Sequence, residues 1–232
     1  GANFTEIAVY EYAPEAHTKM LAAKAEASRL EAERQASLKK AREEALKRPL
    51  VQMAPYGTLS LVDEIDCAGD GTGHDMAQFP ADASRVQTIL GRPARVIEPV
   101  DKNCSYISYR VGQMKLLRPG GVYVLTVEYP EDAPRSMTVI NGGNETRRGF
   151  HTGVSLGDAM HPKYVNNFVE SLDVPLSGQW ETWSLLFRLH DRFTDRNLPR
   201  GDATRALTPE DGFYVTVCQF DRRNAPLSKG LA

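Results

Sequence analysis

The pattern of apolar and polar positions changes character twice along the chain. Phe4 to Tyr12 alternates, with Ile7, Val9 and Glu11 on one side, which predicts a strand. From Glu15 to Arg48 the chain is rich in Ala, Glu, Lys, Arg and Leu, contains neither Gly nor Pro, and is bounded by Pro14 and Pro49. That composition predicts one long helix, about 50 Å in length at ~1.5 Å per residue, so part of it should project or lie along a surface. Met20, Ala23, Ala27, Leu30, Leu38, Ala41 and Ala45 trace a thin, mostly alanine stripe on it. Pairs four apart, Glu15 with Lys19, Glu43 with Lys47 and Glu44 with Arg48, suit an exposed helix. A solvated spacer, a helix packed on its neighbour and a partner-binding helix all fit this pattern.

Beyond the helix everything reads as β. Strands are predicted at Thr58 to Ile65, Arg85 to Leu90, Ala94 to Glu98, Tyr106 to Val111, Val122 to Tyr129, Ser136 to Asn141, Gly149 to Leu156, Glu181 to His190 and Phe213 to Phe220. Turn signals such as Arg118-Pro119-Gly120-Gly121, Asn141-Gly142-Gly143-Asn144 and Pro209-Glu210-Asp211-Gly212 separate them. About ten strands without intervening helices predict a mainly β fold, an antiparallel β-sandwich of jelly-roll type with one long inserted α-helix. The division follows: residues 1–13 give the first strand, 14–49 the helical insertion and 50–232 the sandwich. In Val122 to Tyr129 both faces are apolar, which predicts a central strand covered on both sides, with the alanine-rich helix as one candidate cover.

Composition narrows the function classes. With 28 Lys+Arg against 30 Asp+Glu in 232 residues, the chain lacks the positive field that holds a phosphate backbone, so nucleic acid is not an expected partner. At 41% hydrophobic residues it can bury a core, and no apolar run is long enough to span a membrane. Its amino terminus lacks the layout of a signal peptide, so an exported protein would have lost that signal already. Cys67, Cys104 and Cys218 are too far apart for a zinc or redox motif; Cys218, in an apolar run, reads as a buried thiol.

The order of Arg118-Pro119-Gly120-Gly121-Val122-Tyr123-Val124-Leu125, a paired strand, a long polar excursion and then Leu207-Thr208-Pro209-Glu210-Asp211-Gly212-Phe213-Tyr214-Val215 resembles the galactose-binding-like jelly rolls. These serve as carbohydrate-binding modules in large bacterial polysaccharide-degrading proteins. The likeness covers roughly residues 50 to 220, and the helical insertion departs from the family's common form. The resemblance implies a secreted or periplasmic module of a larger protein, with neighbouring domains as partners; the ends of the chain read as those of an excised piece.

Sugars are recognised through aromatic faces and planar polar side chains. Glu145 to Trp183 is dense in both, and Trp180, Tyr164, Arg147, Arg148, His151 and Asn166 are the candidate ligand-binding residues. Each has a plainer reading: Trp180 as a lid on the core, the arginines as partners of carboxylates such as Glu145. Trp183 alternates with Leu185 and Phe187 and should face the core. Around Gly69, Gly71 and Gly73 stand Asp63, Glu64, Asp66, Asp70, His74 and Asp75, read first as an acidic, solvated turn. Family members of the resembled type often carry a structural calcium, which would fall to Asp66, Asp70 and Asp75, though their spacing is not that of a calcium-hand loop. No other cofactor is expected. No nucleophile or paired-His motif occurs, so no catalytic residue is assigned; a glycosidase would need two facing carboxylates, and Glu145, Asp158, Glu170 and Asp173 are those to inspect. The expected function is therefore non-catalytic carbohydrate binding. The alternatives are a structural domain that holds other domains or subunits through sandwich and helix, and a fragment of a polysaccharide hydrolase.

Overall fold

A computed structural model describes residues 8, 13–97, 105–133, 135–152, 171–174, 176–194 and 206–219. The chain divides into two units, Gly1–Glu44 and Ala45–Ala232. The expected first strand, Phe4 to Tyr12, lies outside the described residues apart from Ala8.

Helix α1 runs from Pro14 to Ala45. Pro14 occupies the first helical position, where its missing N–H has no intrahelical acceptor to lose, and Ala13 O accepts from His17 N at 3.1 Å. The helix is exposed along nearly all its length, with Leu38 and Ala41 buried near its end. Its ion pairs are not the expected ones: Arg29 bridges Glu26 and Glu33, Arg34 meets Glu31, and Lys40 meets Glu44. All are exposed and screened by solvent, so they support the helix only weakly.

The second unit is mainly β. Among the described residues its strands are β1 (Leu50–Met53), β2 (Gly57–Ser60), β3 (Ala77–Phe79), β4 (Ser84–Ile89), β5 (Arg92–Ile97), β6 (Ser105–Val111), β7 (Val122–Pro130), β8 (Arg135–Asn141), β9 (Thr146–Thr152), β10 (Ser171–Val174), β11 (Trp180–Arg188), β12 (Phe193–Thr194), β13 (Ala206–Leu207) and β14 (Phe213–Gln219). They form one six-stranded sheet, in the order β10-β9-β8-β14-β6-β3, and four two-stranded sheets, β1-β2, β4-β5, β7-β11 and β12-β13. Every pairing is antiparallel except β9 with β10, and none of these sheets closes into a barrel.

Alternation explains the core. β14 directs Phe213, Val215 and Val217 to one face, where they join Ile107 and Tyr109 of β6, Val139 of β8, Ala94 and Val96 of β5, and Phe187 and Leu189 from β11 and its end in a single buried cluster. Trp183, Leu125, Val127 and Tyr123 pack against this cluster from the β7-β11 pair, as alternation predicted for Trp183. One expectation is corrected. Among the described residues β7 is not a central strand: it pairs there with β11 alone, and its opposite face leaves Val122 exposed beside the exposed Leu186 of β11. The apolar residues of that face, Val122 and Val124, are too few to form a second core layer.

The other face of the six-stranded sheet carries Tyr106, Ser108 and Arg110 on β6 against Cys218, Thr216 and Tyr214 on β14. Tyr106, Cys218 and Ile140 form a second, small buried cluster there, and Ser108 and Thr216 hydrogen-bond across the strands at 2.7 Å. Cys218, as expected, is a buried thiol, with Sγ 3.6 Å from Thr138 O.

Candidate functional site

At one end of this second, largely buried face, β6, β14 and the loop that precedes β3 bring together Asp75, Arg110 and Tyr214. The loop is built by its own polar residues. Asp66 Oδ1 accepts from Ala68 N at 2.9 Å and Asp70 Oδ1 from Thr72 N at 2.8 Å, two Asx turns that reverse the chain. Gly71, at φ +72°, lies so close over Met76 that a Cβ would stand 2.6 Å from its Cβ, and Val62, Ile65 and Met76 anchor the loop to the core. Arg95, almost wholly buried, donates from Nε to Cys67 O at 2.6 Å and from Nη2 to Gly69 O at 2.5 Å. Asp63 ties the loop's two ends to the sheet: one carboxylate oxygen accepts from Gly112 N at 2.7 Å, the other faces His74 Nε2 at 3.3 Å. His74 O in turn accepts from Arg110 N at 2.6 Å.

The loop's final residue before Met76 is Asp75, in the left-handed region at φ 44°, a conformation that Asp tolerates better than most residues. Its Oδ2 accepts from Arg110 Nη2 at 2.5 Å and from the Tyr214 hydroxyl, while Arg110 Nη2 also lies 3.1 Å from Tyr214 Oη. The guanidinium sits 5.4 Å from the Tyr214 ring centre. Burial pushes the Tyr214 phenol above its ordinary pKa, and the bond to Asp75 raises it further, since an ionised phenol could not donate. Side-chain exposure falls from 51% at Asp75 to 15% at Arg110, so the carboxylate is the part that meets solvent. The buried Arg110 Nε has no hydrogen-bond partner among the described residues.

Further along the same face, Phe79 of edge strand β3 lies opposite Tyr106 of β6, their rings stacked with centres 5.8 Å apart and planes 19° apart. Phe79 remains 38% exposed. Arg110 and Tyr106 are four residues apart on β6, about 13 Å at ~3.3 Å per residue. This edge of the sheet thus carries an exposed aromatic ring at one end and a fixed, half-exposed carboxylate at the other.

The residues singled out from sequence are distributed differently. Trp180 is half-buried at the start of β11: its indole Nε1 donates to Ile89 O at 3.2 Å, and Arg92, itself paired with Glu128 at 2.6 Å, lies 4.4 Å over its ring. A sugar approaching that face would compete with Arg92. Arg147 and Arg148 are neighbours on β9, opposite Ile140 and Val139, so they point to opposite faces; Arg147 is exposed and Arg148 half-buried. His151 is placed by register opposite Ser136 on β8 and Asp173 on β10. Tyr164 and Asn166 lie outside the described residues, as do Asp158 and Glu170. Glu145 is exposed on a turn at φ 59°. Asp66, Asp70 and Asp75 do not converge: two cap turns and the third binds Arg110 and Tyr214. Among the described residues no group of three or more His, Cys, Asp or Glu side chains is placed to hold a metal ion. Nor, among them, is any helix long and apolar enough to cross a membrane.

Arg110, Tyr214 and Phe79 were missed. The signal was present in the alternation of Tyr106-Ile107-Ser108-Tyr109-Arg110, which puts aromatic and cationic groups on one face, but the strand that would pair with it could not be read from spacing. Neither a protein-family model nor a curated protein sequence matches this chain.

Proposed function

We propose that the unit from Ala45 to Ala232 is a non-catalytic carbohydrate-binding module, a jelly-roll-like β-sandwich of the galactose-binding type, working within a larger exported bacterial protein. One observation carries the reading: a single edge of the six-stranded sheet presents the exposed Phe79 ring, backed by Tyr106, together with the Asp75 carboxylate fixed by Arg110 and Tyr214. An aromatic face takes the apolar side of a pyranose ring, and further along the edge a preoriented carboxylate accepts from the hydroxyls of another residue of the same oligosaccharide without first losing side-chain entropy. The packing of the sheet's inner face against the β7-β11 pair supports the sandwich half of the reading.

Affinity electrophoresis of the whole chain through gels containing plant, algal and bacterial polysaccharides tests this, with Phe79→Ala alongside. The expected result is retardation on at least one gel, lost in the variant. Unretarded migration throughout would refute the reading and favour an assembly role, for which the exposed Met20, Leu21 and Leu30 of α1 are the supporting observation.

A further inference from the structure

We infer that the site at Asp75 and Phe79 takes neutral glycans and excludes those bearing uronate or sulfate groups. This rests on the carbohydrate-binding reading and adds the ligand's charge to it. Between Arg48 and Arg85 the chain carries Asp63, Glu64, Asp66, Asp70, Asp75 and Asp82 and not one lysine or arginine, in a protein whose formal charge is only −2. Of these, Glu64, Asp66, Asp70 and Asp75 are exposed in the loop before β3, an acidic surface on a nearly neutral molecule. Among the described residues, the guanidinium groups that reach it are turned onto protein acceptors. Arg95 is turned inward onto the Cys67 and Gly69 carbonyls, and Arg110 is held by Asp75 and Tyr214. Asp63, close to His74, has both carboxylate oxygens occupied.

An anionic oligosaccharide seated on Phe79 and reaching along the edge would thus meet the half-exposed Asp75 carboxylate, to which Arg110 Nη2 already donates, and would lose its own hydration to a like charge. A neutral sugar meets a strong acceptor aimed at solvent. The discriminating element is repulsive, and it depends on one residue keeping Arg110 occupied.

Two measurements test the inference. The wild-type chain is run through matched gels containing neutral polysaccharides (glucans, mannans, galactans), uronates (pectate, alginate) and sulfated galactans. Retardation confined to the neutral gels is the expected result; retardation by uronate or sulfate gels overturns the inference and leaves the carbohydrate reading standing, whereas no retardation on any gel overturns both. The second uses Asp75→Asn, checked for a native melting profile, which keeps the side chain's shape and releases Arg110 from its counter-charge. It should weaken binding to the neutral glycan by about tenfold and create retardation on uronate or sulfate gels. Absence of that gain in a folded variant would overturn the role given to Arg110 and Asp75.

Discussion

At the scale of single residues, the positions most sensitive to change are those where backbone touches backbone. Gly212 has φ +77°, and a Cβ there would stand 2.4 Å from Val111 O and 2.7 Å from Gln113 N, atoms that can yield only by moving β6 and the turn after it. Gly212→Ala should therefore cost about 2–4 kcal/mol, read as a fall in the urea midpoint with an unchanged slope. Arg95 holds its loop through two backbone carbonyls rather than a carboxylate among the described residues, so Arg95→Ala strands those acceptors and should lower stability by about 2 kcal/mol. The local sign would be faster amide exchange from Asp66 to Gly73. Tyr109, Tyr129 and Tyr214 each donate a phenolic proton, to Cys67 O, Glu131 Oε1 and Asp75 Oδ2 respectively. Burial is the largest cause raising all three pKa values. In the unfolded chain they ionise near the ordinary value of about 10, before the folded protein lets its protons go. Their contribution is thus complete below that pH and is lost as pH climbs toward the folded values. Melting temperature followed from about pH 8 to pH 11 should fall beyond pH ~10, and less steeply in Tyr214→Phe; a level profile would contradict this.

Among the elements, β14 has the deepest setting, hydrogen-bonded to β6 on one side and β8 on the other, with Phe213 to Cys218 all buried. β1 and β2, paired among the described residues only with each other and largely exposed, are its opposite. Amide exchange should be slowest at Val215 to Cys218 and fastest, among strands, in the β1-β2 hairpin; the reverse order would refute the placement of the core. Elements were also the scale at which the sequence was most legible. Long alternating or apolar runs gave β4 to β8, β11 and β14 within two residues or so, and the proline-bounded, glycine-free run gave α1, its end drawn in from Arg48 to Ala45. β1, β3, β10, β12 and β13 escaped because two to four residues make no period. Pairing escaped for a different reason: an apolar strand such as Val122 to Tyr129 looks alike in a sheet's centre and in a two-stranded ribbon, since what differs is the neighbour and not the strand. The site shared that fate. Asp75 was visible as one member of an acidic turn and as a candidate calcium ligand, not as a fixed carboxylate, because its partners Arg110 and Tyr214 lie 35 and 139 positions further along the chain.

For the whole molecule, the exposed row on the β3 edge joins two parts of opposite character: an aromatic platform made by strand alternation and an acidic loop shaped by Asx turns and a buried arginine. Fold stability and binding should therefore separate. Phe79→Ala removes a ring that is 38% exposed and should cost at most about 1–2 kcal/mol while abolishing retention on glycan gels. Trp180→Ala removes an indole that packs on the core and donates to Ile89 O, and should cost about 2–3 kcal/mol with retention preserved in the folded fraction. The most direct test of the account is amide chemical-shift mapping of the chain titrated with neutral oligosaccharides. Shifts concentrated at His74 to Phe79, Tyr106 to Arg110 and Tyr214 are the predicted result; shifts confined to the surroundings of Arg92 and Trp180, or no saturable shifts at all, would contradict it.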